Sequence, residues 1–86
     1  MEELTFPEWL HMQLHRLRWN KTEASRAFQV SRQTLHRWET GESVPTVGAL
    51  VIVAGVISTH TGATVSEVWD QLLDIFIEQT DTAITI

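Results

Sequence analysis

Apolar residues recur every three or four positions along most of the chain, which is the spacing of one face of an α-helix. In the first such stretch they are Trp9, Leu10, Leu14 and Leu17. In the last stretch they are Val65, Val68, Trp69, Leu72, Leu73 and Phe76. The pattern predicts five helical segments. The closing residues DTAITI alternate polar and apolar positions instead, which favours a short strand-like tail.

Cap residues mark where these helices begin and end. Three helix starts have a capping-box pattern, in which a capping residue is followed three positions later by Glu; the capping residues are Thr5, Asn20 and Thr64. Ser31 predicts the start of the third helix, and Gly41 predicts its left-handed end. Pro45 is expected to open the fourth helix, because proline is tolerated in a first turn.

The length of the chain bounds the fold. Eighty-six residues are enough for one domain at most. We therefore predict an all-α, compact five-helix domain over residues 1–79, with a two-helix motif at 20–40 and a tail at 80–86. The longest apolar run, Val47–Ile57, is shorter than the roughly 20 residues that cross a bilayer, so we interpret it as a buried helix.

The charges are unevenly distributed. The chain carries a net charge of −5, yet every Lys and Arg lies between residues 16 and 37, opposed there only by Glu23. That segment sums to +5 and the remainder to −10. Because charges are screened over about 8 Å in physiological salt, the distant acid would hardly weaken a cationic surface. A DNA-binding surface and a merely solvated helix face both fit the charge pattern.

The third helix supplies the chemistry that separates these two interpretations. Successive helical residues are about 100° apart, so Leu35 and Trp38 share an inward face, with Val30 in the preceding turn. The opposite face carries side chains that can reach base edges, namely Gln33, His36 and Arg37, flanked by Arg32 and Thr34. Arg can grip guanine and Gln can grip adenine through paired hydrogen bonds.

The stretch SRAFQVSRQTLHRWETGESVP and the helix after it resemble the Cro/repressor (XRE) helix-turn-helix family. The matching residues are Ser25, Val30, Ser31, Thr34, Leu35, Trp38, Glu39, Gly41, Pro45, Leu50, Val53 and Ala54. NKTEASRAFQVSRQTL also resembles the motif of Fis-type regulators, but the Trp-Glu-x-Gly continuation favours the first family. The resemblance implies a five-helix fold, binding in the major groove by helix 31–39, and operator recognition, often as a dimer.

Site residues follow from this resemblance by position. It implies DNA base contacts by Arg32, Gln33, His36 and Arg37. It implies phosphate contacts by Lys21, Thr22, Ser31 and Thr34, to which we add the cations that end the first helix, Arg16 and Arg18. Gln29 stands where the family usually has a turn glycine, at a cost of roughly 1 kcal/mol if φ is positive there.

The fifth helix is more apolar than one small core requires. Ile75 and Ile77 widen its apolar arc to roughly 200°, and Ile84 and Ile86 follow in the tail. The arc fits either core packing with a loose terminus or a homodimer interface at these four residues, and we favour the homodimer. Two-fold symmetry would place the two third helices about 34 Å apart, which is one turn of DNA.

These patterns favour a sequence-specific DNA-binding transcriptional regulator, a small dimeric repressor of the kind common in phage and plasmid control genes. Its expected partner is a double-stranded operator. The alternative is a protein-interaction module that binds a basic partner through its acidic surface. An enzyme is not expected, because no phosphate loop, nucleophile–base pair or metal set is evident. No cofactor, metal, small-molecule substrate or membrane association is expected, and the absence of cysteine suits the cytoplasm.

Overall fold

The computed structural model describes the backbone of residues 4–84 and the side chains of residues 4–77. Its helices are α1 (Phe6–Leu17), α2 (Lys21–Phe28), α3 (Arg32–Thr40), α4 (Val47–Thr61) and α5 (Val65–Ile84). The predicted all-α, five-helix fold is confirmed. The strand-like interpretation of the tail is wrong up to Ile84, because α5 continues through it. Extending an existing helix gains one hydrogen bond per residue, and this outweighs a short alternating pattern.

The helix starts are fixed locally. Thr5 and Asn20 form the predicted reciprocal capping boxes, with Glu8 and Glu23 respectively. The backbone N–H and then the hydroxyl of Thr5 hold the pKa of the Glu8 carboxyl below its ordinary value, because both donate to the carboxylate.

The start of α4 differs from the prediction. Pro45 precedes α4 and does not open it, since Thr46 is the N-cap and its hydroxyl accepts the Ala49 N–H at 3.2 Å. Proline has no such side-chain acceptor, so the cap falls on the next residue.

The core is a single cluster to which all five helices contribute. Phe6 lies at its centre, with its ring 5.9 Å from that of Trp9, 6.3 Å from that of Trp38 and 5.5 Å from that of Phe76. α1 packs against α3, α4 and α5, while α2 packs against α3 and α4. The third helix is therefore supported from behind by α1 and from one side by α2, which holds its outer face in a fixed orientation.

Two further structural observations bear on function. No helix in the described part of the chain is long and apolar enough to span a membrane. Among residues 4–77, no three His, Asp or Glu side chains meet in a group that could hold a metal ion. His11 and His15, which have zinc-ligand spacing on α1, are both exposed.

Candidate nucleic-acid interface

The connection between α2 and α3 is a tight left-handed turn. Gln29 has φ 60° and ψ 40°, and its N–H donates to the carbonyls at the end of α2. The Val30 N–H donates to the Ser25 carbonyl at 3.0 Å, which completes a Schellman-type end. Ser31 then caps α3 by accepting the Thr34 N–H at 3.0 Å. The chain thus leaves one helix and enters the next within three residues.

Gln29 should be a site of backbone strain, because a left-handed conformation costs a side-chain-bearing residue roughly 1 kcal/mol or more. We predict that Gln29→Gly raises the free energy of unfolding by about 1 kcal/mol, measured by urea denaturation. Gln33→Gly, inside α3, is the matched control and should lower it by a similar amount. A loss of stability in both variants would contradict the left-handed turn.

α3 has one buried and one exposed face. Leu35 and Trp38 are buried, as the periodicity predicts. The four candidate base-contact residues, Arg32, Gln33, His36 and Arg37, are all exposed. They occupy an arc of about 140° on the helix, so a single surface presents two guanidinium groups, an amide and an imidazole.

A polar cluster joins the start of α2 to the middle of α3. The ammonium nitrogen of Lys21 lies 3.3 Å from His36 Nδ1 and 3.7 Å from Glu39 Oε2. Glu39 and Lys21 thus form an ion pair between α3 and α2. Because an ammonium group only donates, this contact is a hydrogen bond in the tautomer that has an unprotonated Nδ1 and carries its proton on Nε2. In that tautomer the imidazole offers an N–H donor to a ligand at the surface.

A second ion pair joins the last turns of α3 to the loop that follows it. Arg37 Nε is 3.4 Å from Glu42 Oε2. Gly41, with φ 80°, turns the chain back, and the Ser43 N–H donates to the Arg37 carbonyl at 3.3 Å. These contacts bring the loop after α3, which carries Glu42, against the last turn of the helix. Neither ion pair could be predicted from local spacing alone, since both depend on how the chain folds back.

The hydroxyl groups near the α2–α3 turn include a free donor. The Ser31 hydroxyl donates to Thr34 Oγ1 at 3.0 Å while accepting the Thr34 backbone N–H. Thr34 keeps its own hydroxyl proton to donate elsewhere. Thr22, in the first turn of α2, is half-buried.

The two cations of α1 are placed differently from one another. Arg18 is the left-handed C-cap of α1, with φ 58°, and is exposed. Arg16 lines a groove of about 460 Å³ between α1 and α5, together with Asp74. Arg16 therefore lies on the α1–α5 side of the molecule and outside the surface formed by α2 and α3.

The candidate dimer residues are also separated by the fold. Ile75 is 5% exposed and packs in the core of the single chain, which removes it from a candidate interface, whereas Ile77 is 58% exposed. The side chains of Ile84 and Ile86 lie outside the described residues. The helical spacing of α5 put Ile75 in the same arc as Ile77, but only one of them remains on the surface.

An apolar surface joins α4 to α5, and the sequence predicted only its α5 side. The interpretation of Val47–Ile57 as a buried helix is only half right, because Val47 is 71% exposed and Val51 is also exposed. Beside them is a groove of about 250 Å³ lined by Val44, Pro45, Val47, Leu50, Trp69, Leu72, Leu73 and Phe76. We call Val44, Val47, Val51, Leu73 and Ile77 the α4–α5 apolar face. The continuous apolar run in α4 was the available signal, since it exceeds what one core face needs.

Comparison with known proteins agrees with this geometry. A family model described as helix-turn-helix matches residues 14–62, which is more than half of the chain and includes all of α2, α3 and α4. The search of curated proteins found no match, and neither did the search of solved structures.

Proposed function

Since the chain belongs to the Cro/repressor-type (XRE) helix-turn-helix family of DNA-binding transcription regulators, we propose that it is a sequence-specific repressor that reads the major groove with α3. The observation that carries this proposal is the exposed face of α3. Its four polar side chains are held outward by two buried ones, Leu35 and Trp38, on the opposite side of the same helix.

The side chains of this face fit the donor and acceptor pattern of base edges. An arginine fork matches the two acceptors of guanine, and the Gln33 amide can both donate to and accept from adenine. The Nε2–H of His36 can donate to a base acceptor or to a phosphate oxygen. The backbone N–H groups at the start of α3 and the hydroxyl of Thr34 suit a phosphate beside the groove. Base contacts would specify the site, and phosphate contacts would fix the register of the helix.

The charge distribution supports the same orientation. Among the described residues, Arg26 and Arg32 are exposed and form no ion pair, so they add unopposed positive charge to α2 and α3. Acidic residues such as Glu67 and Asp70 lie on α5 and are exposed. We expect a duplex to approach the α2–α3 surface. The carboxylates of α5 would be largely screened from it wherever they lie more than about 8 Å away.

The dimer in this proposal uses the α4–α5 apolar face, and its occupant is a second copy of the chain. The face consists of exposed aliphatic side chains, and the groove beside it has an almost entirely apolar lining. The domain measures 41 × 28 × 26 Å. Equivalent points of a two-fold dimer are separated by twice their distance from the axis, so α3 helices about 34 Å apart need the axis about 17 Å from each helix, which a domain of these dimensions allows.

The direct test is selection of bound duplexes from a random-sequence pool, followed by anisotropy titrations on the selected duplex. We predict that Arg37→Ala weakens binding to it by about 1–3 kcal/mol and relaxes the preference at one base pair per half-site. The physical reason is that alanine leaves the guanine acceptors without their paired donors.

Arg26→Ala is the matched control, because it removes the same charge from α2. It should weaken binding to selected and to random duplexes by similar factors and leave the base preference unchanged. Selection that yields no preferred sequence would overturn the specific function. If no duplex raised the anisotropy in low salt, DNA binding by this chain would be overturned.

A further inference from the structure

The ion pair between Arg37 and Glu42 uses one particular nitrogen of the guanidinium group. Glu42 Oε2 lies 3.4 Å from Nε, the nitrogen within the side chain. A paired grip on guanine can use the two terminal nitrogens of the same group. Both contacts can therefore exist at once, with Glu42 at Nε and the base at the two terminal nitrogens of the guanidinium group.

The backbone fixes Glu42 beside Arg37. Thr40 Oγ1 and the Ser43 N–H both donate to the Arg37 carbonyl, at 3.2 Å and 3.3 Å. Between them Gly41 adopts a left-handed conformation, with φ 80°. The loop that carries Glu42 is thus tied to the residue it pairs with, and the carboxylate does not depend on a long flexible connection to reach it.

Glu42 also places a negative charge on the surface that a duplex would approach in the proposed function. Its side chain is 69% exposed at the end of α3, where a phosphate backbone would approach. A carboxylate there repels every duplex to a similar extent. It also restrains Arg37 from swinging to a phosphate, which is the contact that would add affinity without adding sequence information.

From these contacts we propose that Glu42 is a positioning and specificity-determining residue, which holds Arg37 ready for a guanine and withholds it from phosphates. This inference rests on the proposed function. On a cognate duplex the held guanidinium makes its base contact, which offsets the repulsion between Glu42 and the phosphates. On a random duplex Arg37 makes no paired contact with a correctly placed guanine. The repulsion between Glu42 and the phosphates is then not offset. The carboxylate therefore widens the difference between the two affinities.

The test compares wild type and Glu42→Gln on the selected duplex and on random duplexes over a range of salt concentrations. Affinity for random duplexes should rise, and the ratio of selected to random affinity should fall about 1.5-fold to fivefold, the range expected for one exposed ion pair. On random duplexes the slope of log affinity against log salt should steepen by about one unit, because Arg37 gains a phosphate contact. On the selected duplex the slope should not change.

Two controls separate this role from general repulsion. Asp70→Asn removes one negative charge from an exposed site on α5 and should leave the affinity ratio unchanged. In an Arg37→Ala background, Glu42→Gln should no longer alter the ratio, which is a double-mutant-cycle test of the pair.

The role of Glu42 would be overturned if Glu42→Gln changed the affinities for selected and random duplexes by the same factor. It would also be overturned if the effect of Glu42→Gln on the affinity ratio were the same in the Arg37→Ala background. A wild-type chain that binds no duplex would instead overturn the proposed function, and the inference with it.

Discussion

Ile77→Glu is expected to dissociate the proposed dimer and to weaken binding to a duplex with two half-sites by about 10²- to 10⁴-fold. Linking two binding units raises apparent affinity by that range without any new contact, and a monomer loses it. The physical reason for dissociation is that a carboxylate buried against an apolar partner is left without a counter-ion. Sedimentation velocity reports the oligomeric state, and anisotropy on duplexes with one and two half-sites reports the affinities.

The matched control is Met12→Glu, which adds the same charge at an exposed apolar residue of α1, outside the α4–α5 apolar face. It should remain dimeric and bind only slightly more weakly. Val47→Glu is an independent variant in that face, and a carboxylate is favourable in the first turn of α4, so the fold should tolerate it. A dimer that persists in both Ile77→Glu and Val47→Glu would place the interface elsewhere on the molecule.

The features that sequence predicted well are local. Capping residues such as Asn20 and Ser31 determine helix starts through hydrogen bonds that span three residues, so their effect is visible in the sequence. The orientation of α3 followed from periodicity alone, because a helix that buries Leu35 and Trp38 must expose the residues between them.

The features that sequence missed depend on tertiary packing. Periodicity grouped Ile75 with Ile77, but only the packing of α5 against the core decides which of two neighbours is buried. Lys21 and Glu39 are far apart along the chain and meet because α2 crosses α3. The apolar run of α4 signalled burial, but not that residues such as Val47 and Val51 would stay exposed, because that depends on which helices pack against each side of α4.

The fold and the site are joined most closely at Trp38. It is buried behind the exposed face of α3, and its ring meets that of Phe6 edge to face at 6.3 Å. Its burial therefore supports both the core and the position of the recognition surface. A substitution at Trp38 should act on DNA binding only through the folded fraction.

We predict that Trp38→Ala lowers the free energy of unfolding by about 3–5 kcal/mol, because it removes the largest buried side chain of α3 and leaves a cavity. A domain of this size has only roughly 5–10 kcal/mol in total, so much of that stability would be lost. Urea denaturation followed by circular dichroism measures the change. Trp38→Phe keeps most of the buried apolar area, so its free energy of unfolding should fall clearly less than that of Trp38→Ala.

Restoring the fold distinguishes Trp38 from a residue that touches DNA. An osmolyte such as sucrose favours the compact state, so it should return much of the DNA affinity that Trp38→Ala loses. Arg37→Ala keeps the buried core, and its weakened binding should not recover in the same solution. If the osmolyte restored folding of Trp38→Ala but not its DNA affinity, α3 would need the tryptophan ring itself to hold its outer face in register. An unchanged urea midpoint for Trp38→Ala would contradict the packing of α3 against α1.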